Sequence, residues 1–351
     1  MSNSILSSVS SDLQRGVPVN AGRPLLEIEN LSTHYVSAQG TRVVRAVDEV
    51  SLRVDAGETV GIVGESGSGK STLALTILRV LPTAAKIASG NIWFEGEDLA
   101  RKSDAEMQHV RGKRIAMILQ DPMASLNPLF TIGNQVAEPI RVHEHADRRT
   151  AWQRACDLLK AVRIPSPETR VRQFPHEMSG GMRQRIVGAI GISCEPRLLI
   201  ADEPTTSLDL TIQAQYLKLL RELQREHGLA LIFITHNLGI VAKMCDRLVV
   251  MYAGRVVESG PVAQVFDDPA HPYTRALLNA IPRMGDGRQR LTAIEGQPPD
   301  LAALPRGCAF AARCPDAFDR CSKESPPEFD LKRGRTARCW LASVITRAEV
   351  A

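Results

Sequence analysis

The sequence predicts an α/β fold built around a parallel β-sheet. Short apolar runs of β-forming residues lie far apart in the chain and end in glycine or polar residues, with helix-forming segments between them. Such runs are typical of strands that are buried on both faces of a parallel sheet. The predicted strands cover residues 59–63, 115–119, 198–201, 229–234 and 248–252. Ligands bind such sheets beyond the carboxyl ends of the strands.

Length and composition are those of a soluble globular protein with one full domain and a smaller appendage. The chain has 351 residues and a net charge of +4, without a long Lys/Arg block, so we expect no nucleic acid as partner. The apolar runs are too short to span a bilayer. Residues 1–24 have neither the basic start nor the apolar core of a secretory signal, which predicts a serine-rich, flexible tail. The chain is therefore expected in the cytosol.

A glycine-rich segment follows the 59–63 strand and precedes a helix-forming segment. Residues 64–71 read GESGSGKS, which fits the phosphate-loop pattern G-x-x-x-x-G-K-[ST]. Glycines let backbone N–H groups converge on a phosphate, Lys70 reaches the β- and γ-phosphates, and the Ser71 hydroxyl is a ligand for Mg²⁺. The predicted nucleotide-binding residues here are Gly64, Ser66, Gly67, Gly69, Lys70, Ser71 and Thr72. This context favours a P-loop NTPase over an incidental glycine-serine turn.

Polar residues follow three further predicted strands. Asp202 and Glu203 end the 198–201 strand, where Asp202 is suited to hold Mg²⁺ and Glu203 to act as general base on water. His236 follows the 229–234 strand, and Gln120 follows the 115–119 strand. Because these strands should be neighbours, we expect His236 near the γ-phosphate and the Gln120 amide near the metal or the water.

A second anion-binding turn lies far from the phosphate loop in sequence. Ser179, Gly180 and Gly181 precede a helical run, and a serine with two glycines at a helix start leaves N–H groups free for an anion. Together with the phosphate loop, Gln120, the 202–203 pair, the Ser-Leu-Asp at 207–209 and the histidine, this turn resembles the signature of the ATP-binding-cassette ATPases. The resemblance covers residues 25–260.

The resemblance implies roles for four side chains. Tyr35 is similar to the aromatic residue that stacks on adenine, and Gln120 to the lid glutamine. Asp209 is similar to the dimer-interface aspartate, and His236 to the switch histidine.

In this family two cassettes pair head to tail, so Ser179 and Gly181 are expected to contact ATP held mainly by a partner cassette. The family signature begins with Leu and ends with Gln, whereas this chain has Met178 and Met182. Met178 keeps an apolar anchor, while Met182 removes a polar side chain. The contact across the dimer is expected to survive, because the serine hydroxyl and the glycine backbone remain.

Within the family, residues 119–136, 174–185 and 267–282 resemble ATPase subunits of dipeptide, oligopeptide and nickel importers. This resemblance implies an ATPase that energises peptide import from the cytoplasmic face of the inner membrane. Its implied partners are two permease subunits, a second cassette chain that is related but different, and indirectly an extracytoplasmic substrate-binding protein. The alternatives are import of nickel, opines or other small solutes, a soluble cassette ATPase, and a non-hydrolysing regulatory or metal-binding protein.

The predicted organisation is a tail (1–24), a cassette domain (25–262) with a helical arm at about 121–184, and a C-terminal accessory domain (263–351). Helix-period apolar spacing marks 132–145 and 149–164 within the arm, and the prolines at 163–168 break it. The apolar residues at 127–132 either dock membrane subunits or fill the core of the arm. Asp209 and Gly228 are the expected caps of one long helix.

The C-terminal region holds four of the seven cysteines, namely Cys308, Cys314, Cys321 and Cys339. A cytosolic location disfavours disulfides, and the absence of short C-x₂₋₄-C pairs disfavours zinc. Irregular spacing suits a Cys₄-held iron–sulfur cluster, and the subfamily resemblance implies a [4Fe-4S] cluster, with zinc and reduced thiols as alternatives. A bound metal would brace a tail that has little core of its own. Cys156, Cys194 and Cys245 are expected to be small buried hydrophobic residues.

Overall fold

The structure is a computed structural model that describes residues 23–206, 208–281 and 294–343. Nearly all of the predicted 1–24 tail, and Ser207 of the 207–209 motif, lie outside the described residues. Among the described residues, no helix combines the length and apolar character needed to cross a membrane.

The described strands form a mixed sheet of eight strands and an antiparallel sheet of four. Their bounds are β1 (Leu26–Val36), β2 (Val43–Val54), β3 (Thr59–Val63), β4 (Ala85–Phe94), β5 (Glu97–Asp98), β6 (Ile115–Ile118), β7 (Leu198–Asp202), β8 (Ala230–Ile234), β9 (Arg247–Tyr252), β10 (Arg255–Pro261), β11 (Phe329–Leu331) and β12 (Arg335–Ala337). The orders are β2-β1-β4-β5 and β11-β12-β10-β9-β3-β8-β7-β6.

The described helices cover the sheets and build the arm. Their bounds are α1 (Lys70–Ile77), α2 (Asp104–Gln108), α3 (Pro122–Ser125), α4 (Ile132–Glu144), α5 (Arg148–Ala161), α6 (Pro167–Arg170), α7 (Gly180–Ile192), α8 (Leu210–His227), α9 (Leu238–Met244), α10 (Val262–Asp267), α11 (Pro272–Asn279) and α12 (Asp319–Lys323). Short 3₁₀ turns lie at Leu99–Arg101, Pro175–Glu177 and Ala311–Arg313.

The parallel core of the larger sheet is the one that the sequence predicts. Strands β9, β3, β8, β7 and β6 are mutually parallel neighbours. Every residue of β3, β7 and β8 is buried, as expected for strands covered on both faces. Because the strands are parallel, the polar residues after β3, β6, β7 and β8 meet at one edge of the sheet.

The antiparallel sheet of β1, β2, β4 and β5 was not predicted. Its inner residues share one hydrophobic core with α1 and with the parallel strands. Helix α1, which carries the phosphate-loop lysine, is therefore fixed between two sheets. A bulge-rich pairing of β1 with both neighbours breaks the simple alternation that marks a strand in sequence.

The helical arm has its own core, formed by α4, α5 and α7 with residues of α8 and of the nearby sheet. The predicted helices at 132–145 and 149–164 are confirmed as α4 and α5, and the 163–168 break is occupied by the start of α6 at Pro167. Asp209 and Gly228 cap α8 as expected.

The chain beyond residue 263 contains regular secondary structure. It contains α11, a short α12, and the strands β11 and β12. Strand β12 pairs with β10, so the C-terminal region extends the cassette sheet. The domain bounds 25–262 and 263–351 stay a prediction.

Candidate functional site

The phosphate loop joins β3 to α1 and requires glycine at two points. Gly64 has φ +154° and Gly69 has φ +100°. A Cβ atom at Gly64 would lie 2.2 Å from the carbonyl oxygen of Met251, and one at Gly69 would lie 2.1 Å from that of Ala46. Neither backbone neighbour can yield, so only glycine permits this close passage of chain segments.

Lys70 is folded back over this loop. Its Nζ donates to the carbonyl oxygens of Gly64 at 2.8 Å and Glu65 at 2.9 Å. Burial lowers the pKa of Lys70, while the charges of Glu203, Asp202 and Glu65 act in the opposite direction. An ammonium group at this partly buried position attracts phosphate oxygens more strongly than an exposed one does, because the effective dielectric constant is lower.

The pair Ser71 and Asp202 fits a Mg²⁺ ion. Asp202 ends β7, is 5% exposed, and accepts a hydrogen bond from the Ser71 side chain. Its Oδ1 atom is buried and has no hydrogen-bond partner among the described residues. Burial raises the pKa of Asp202, whereas the Ser71 hydrogen bond and Lys70 lower it. A buried carboxylate oxygen without a partner beside a hydroxyl is a suitable donor set for a hard cation.

Glu203 lies at the centre of the site and contacts residues from the ends of two neighbouring strands. Its Oε2 accepts from Gln120 Nε2 at 3.1 Å and from Thr206 Oγ1 at 3.0 Å. Its Oε1 lies 3.3 Å from His236 Nδ1. The structure therefore brings together the three residues predicted as catalytic. Thr206 was missed, although its place in the turn directly after the β7 carboxylates was a usable signal.

Tyr35 lies beside the phosphate-loop helix. The Tyr35 hydroxyl is 3.5 Å from Thr72 Oγ1, and the side chain is half-buried near the end of β1. This position is compatible with an aromatic wall for the nucleotide base, and the stacking role itself stays a prediction.

The second anion-binding turn begins α7, as predicted. Ser179 is the N-cap and accepts from Met182 N at 3.3 Å, while a Cβ atom at Gly180 would meet open space. A Cβ atom at Gly181 would lie 2.8 Å from Ile212, so the starts of α7 and α8 are in contact. Met178 is 3% exposed and is the expected apolar anchor.

Asp209 caps α8 by accepting from the backbone N–H groups of Thr211 and Ile212, both at 3.0 Å. Its capping role is confirmed. The roles of Ser179, Gly180, Gly181 and Asp209 across a dimer stay predictions.

The four C-terminal cysteines line one small cavity, together with His271 and Trp340 among others. All four are free thiols. Burial raises the pKa of Cys308 and of Cys314, and it raises the pKa of Cys339 to about 11. Within the described residues, no group of three or more His, Cys, Asp or Glu side chains is arranged to hold a metal ion. The predicted metal is therefore not confirmed.

Two family models match this chain. "ABC transporter" matches residues 47–206, and "Oligopeptide/dipeptide transporter, C-terminal region" matches residues 257–321.

Curated proteins are similar along nearly the whole chain. A probable peptide ABC transporter ATP-binding protein of Sinorhizobium fredii is 48% identical over 92% of this chain and 96% of its own length. The oligopeptide transport ATP-binding protein OppD of Bacillus subtilis is 48% identical, with 90% of this chain and 88% of OppD covered. The dipeptide transport ATP-binding protein DppD of Escherichia coli is 46% identical, with 90% and 96% covered.

Solved structures agree with the fold. The dimeric ATP-binding cassette MJ0796 in a post-hydrolysis state with ADP and Pi matches with a TM-score of 0.61 and 26% identity, covering 68% of this chain and 98% of that one. The cassette cbiO1 from Clostridium perfringens matches with a TM-score of 0.59 and 29% identity, covering 70% and 92%.

Proposed function

The chain belongs to the ATP-binding-cassette ATPases of peptide transporters, and we propose that it hydrolyses ATP to energise the import of di- or oligopeptides across the cytoplasmic membrane. The observation that carries the chemical part is the contact of Glu203 with Gln120 and His236, one residue after the metal-suited Asp202. The peptide cargo is supported by relatives that are named for peptides and cover nearly the whole chain.

In the proposed reaction the backbone N–H groups of the phosphate loop and Lys70 bind the β- and γ-phosphates. Ser71 and Asp202 would hold Mg²⁺, with Gln120 as a further candidate ligand, and the bound ion would supply positive charge opposite the phosphate oxygens. Glu203 accepts a proton from water as the water oxygen forms its bond to the γ-phosphorus.

The bond from the γ-phosphorus to the bridging oxygen breaks, which leaves ADP and phosphate. His236 lies near the γ-phosphate and donates a hydrogen bond to one of its oxygens. Together with Thr206, His236 also keeps the Glu203 carboxylate oriented towards the water. Tyr35 covers the adenine.

A second cassette completes each site in this proposal. The start of α7, with Ser179, Gly180 and Gly181, binds the γ-phosphate of ATP held by the partner cassette. Asp209 contacts the partner cassette at the neighbouring start of α8. The open space in front of Gly180 supports this, because an anion can approach the start of α7 there. We propose that the partner is a related but different chain.

The permease subunits are proposed to dock on an apolar edge of the arm, defined by Leu119, Met123, Leu129 and Phe130. These side chains are 45%, 56%, 81% and 53% exposed, so they do not fill the core of the arm. Gln135 fixes the turn by bonding the backbone of Asn127 and Phe130. Docking there holds the chain at the cytoplasmic face of the membrane, with the substrate-binding protein reached only through the permeases.

For the four cysteines we propose a [4Fe-4S] cluster rather than zinc. One zinc ion would draw four sulfur atoms to about 3.8 Å from one another, given Zn–S bonds of about 2.3 Å. Four cysteines that line a shared cavity and are separated by at least five residues in sequence fit a cluster, in which each thiolate binds a different iron. Its proposed role is to brace the C-terminal region.

The proposal is tested with Glu203→Gln in the full chain together with its partner cassette and permeases. The variant is expected to bind ATP but to hydrolyse it at least about 100-fold more slowly, because an amide cannot accept the proton. It should also accumulate as a closed cassette dimer with ATP, measured by size-exclusion chromatography.

Lys70→Ala is the companion variant, and it should lose ATP binding. Wild-type turnover by Glu203→Gln would exclude Glu203 as the base, and unchanged ATP affinity of Lys70→Ala would contradict the phosphate-loop assignment.

A further inference from the structure

Arg313 reaches from the C-terminal region to the phosphate loop. Its side chain is only 6% exposed, and its Nη1 lies 2.9 Å from Glu65 Oε2. The same guanidinium donates to the Tyr252 hydroxyl at 3.2 Å and to the carbonyl oxygens of Glu295 at 2.9 Å and Ile294 at 3.3 Å. These bonds fix the planar guanidinium group in one orientation, which a surface arginine lacks.

Glu65 is held at each of its polar groups. Its carboxylate pairs with Arg313, and its backbone N–H donates to the Tyr273 hydroxyl at 2.9 Å. Its carbonyl oxygen accepts from Lys70 Nζ at 2.9 Å and from the Ser68 N–H at 3.2 Å. A shift of Glu65 therefore moves the acceptor that positions the phosphate-binding lysine.

An aromatic cluster supports both contacts. Tyr252 at the end of β9 and Tyr273 in α11 have ring centroids 4.6 Å apart, and Phe310 lies 5.3 Å from each of them. Phe310 is 1% exposed. The Arg313 guanidinium carbon lies 5.8 Å from the centre of the Tyr252 ring and 6.0 Å from that of Phe310. This cluster is rigid, so the hydroxyl of Tyr273 and the guanidinium of Arg313 are fixed relative to the loop.

The charge of Glu65 gives Arg313 a specific task. A carboxylate in a loop that binds phosphates repels the ligand, and the field of Glu65 is felt at Lys70. Pairing with a buried guanidinium neutralises the carboxylate and fixes its position. The phosphate loop thus contains an acidic residue whose partner lies 248 positions further along the chain.

We propose that Arg313 and Tyr273 are positioning residues for ATP, which fix Glu65 and thereby the geometry and charge of the phosphate loop. The C-terminal region is then part of the nucleotide site, although it contacts no nucleotide. This inference rests on the proposed ATP site and assigns the C-terminal region a second task besides holding the cysteines.

The test measures ATP affinity of the full chain by titration calorimetry, without turnover. Arg313→Ala is expected to weaken ATP binding about tenfold, since it leaves an unpaired carboxylate and a displaced loop. Tyr273→Phe, which keeps the packing of the ring, is expected to weaken it about threefold. In the assembled transporter, the loss should fall on KM for ATP, with kcat changed by less than about twofold.

A charge-removal rescue separates positioning from mere destabilisation. Glu65→Gln added to Arg313→Ala should restore most of the affinity, because no carboxylate is then left to repel the phosphates. A double variant as weak as Arg313→Ala alone would overturn the proposal, and so would wild-type affinity of Arg313→Ala.

Arg275→Ala is the matched control, since it removes an exposed ion pair between α11 and Asp316 that does not reach the loop. It should bind ATP as the wild type does, and a tenfold loss there would overturn the specific role of Arg313. If Arg313→Ala does not fold, Tyr273→Phe decides, and wild-type affinity would then contradict the inference. Lys70→Ala separates this inference from the proposed function. Wild-type ATP affinity of Lys70→Ala would contradict the ATP site itself. Loss of ATP binding in Lys70→Ala together with wild-type affinity of Arg313→Ala would contradict only this inference.

Discussion

Glu203 has a left-handed backbone conformation, with φ +46°, which a non-glycine residue adopts at a cost of about 1 kcal/mol. Its N–H donates to Ile234 O at 2.9 Å, so β8 holds this conformation in place. The unusual backbone turns the side chain towards Gln120 and His236. The strain is therefore located where the proposed chemistry needs a carboxylate in one orientation.

Cys339 and its neighbours give a prediction about metal content. Burial raises the pKa of Cys339 to about 11, so the thiol is protonated at neutral pH unless a metal stabilises the thiolate. Anaerobically purified protein should contain about four iron and four sulfide per chain, with a visible charge-transfer band. Acidification should release the metal, because protons compete for the thiolates.

Cys314→Ser should lose the iron and the band, whereas Cys156→Ser should retain both, since Cys156 lies in α5, outside the four-cysteine cavity. Colourless wild-type protein with one zinc per chain would exclude the cluster and favour the zinc alternative.

At the scale of elements, α8 is the longest described helix and begins at the proposed dimer interface. The Asp209 carboxylate caps this helix. The variants below separate this capping role from the proposed contact with the partner cassette. Asp209→Ala should lower the free energy of unfolding by about 1 kcal/mol, as measured by urea denaturation. Asp209→Asn should keep this stability, because asparagine caps helices equally well, yet it should weaken ATP-driven cassette pairing.

The matched control is Asp147, which caps α5 with the same pattern of hydrogen bonds to two backbone N–H groups. Asp147→Asn should leave both stability and pairing unchanged. Pairing of Asp209→Asn at the wild-type level in the Glu203→Gln background would restrict Asp209 to a capping role.

At the scale of the whole molecule, the phosphate loop and the proposed docking edge are both attached to the larger sheet. The phosphate loop follows β3, and the apolar edge of Leu119, Met123, Leu129 and Phe130 begins directly after β6 of the same sheet. Gln120 follows Leu119 directly and contacts Glu203. In the proposed docking, Gln120 would link the movement of a permease to the position of the Glu203 carboxylate.

Leu129→Ser combined with Phe130→Ser should leave ATP affinity unchanged but lower the fraction that sediments with co-expressed permeases about tenfold. The reason is that two half-exposed or exposed apolar side chains each contribute about 1 kcal/mol or more when buried in an interface. Peptide-stimulated ATP hydrolysis in the reconstituted transporter should fall in parallel.

Val142→Ser is the control, since Val142 is an exposed apolar residue of the arm outside this edge. Wild-type sedimentation of the double variant would place the docking surface elsewhere.

Much of the nucleotide site could be predicted because it depends on local order along the chain. The phosphate loop, the carboxylates after β7 and the polar residues after β6 and β8 each follow a buried strand, and parallel strands align their ends. The N-cap residues of α7 and α8 could be predicted in the same way. The antiparallel sheet was missed, since bulges in β1 interrupt its alternation.

The sequence by itself determined the parallel α/β core, the phosphate loop and the identity of the polar side chains that meet at the carboxyl edge of the sheet, because short-range patterns specify strands, turns and caps. Only the tertiary structure decided that Arg313 pairs with Glu65, that Tyr273 holds the same loop residue, and that four cysteines share one cavity. These contacts join segments far apart in sequence, and no local pattern encodes them. They follow from the pairing of β12 with β10 and from the packing of Phe310 on Tyr252, which bring the C-terminal region against the phosphate loop.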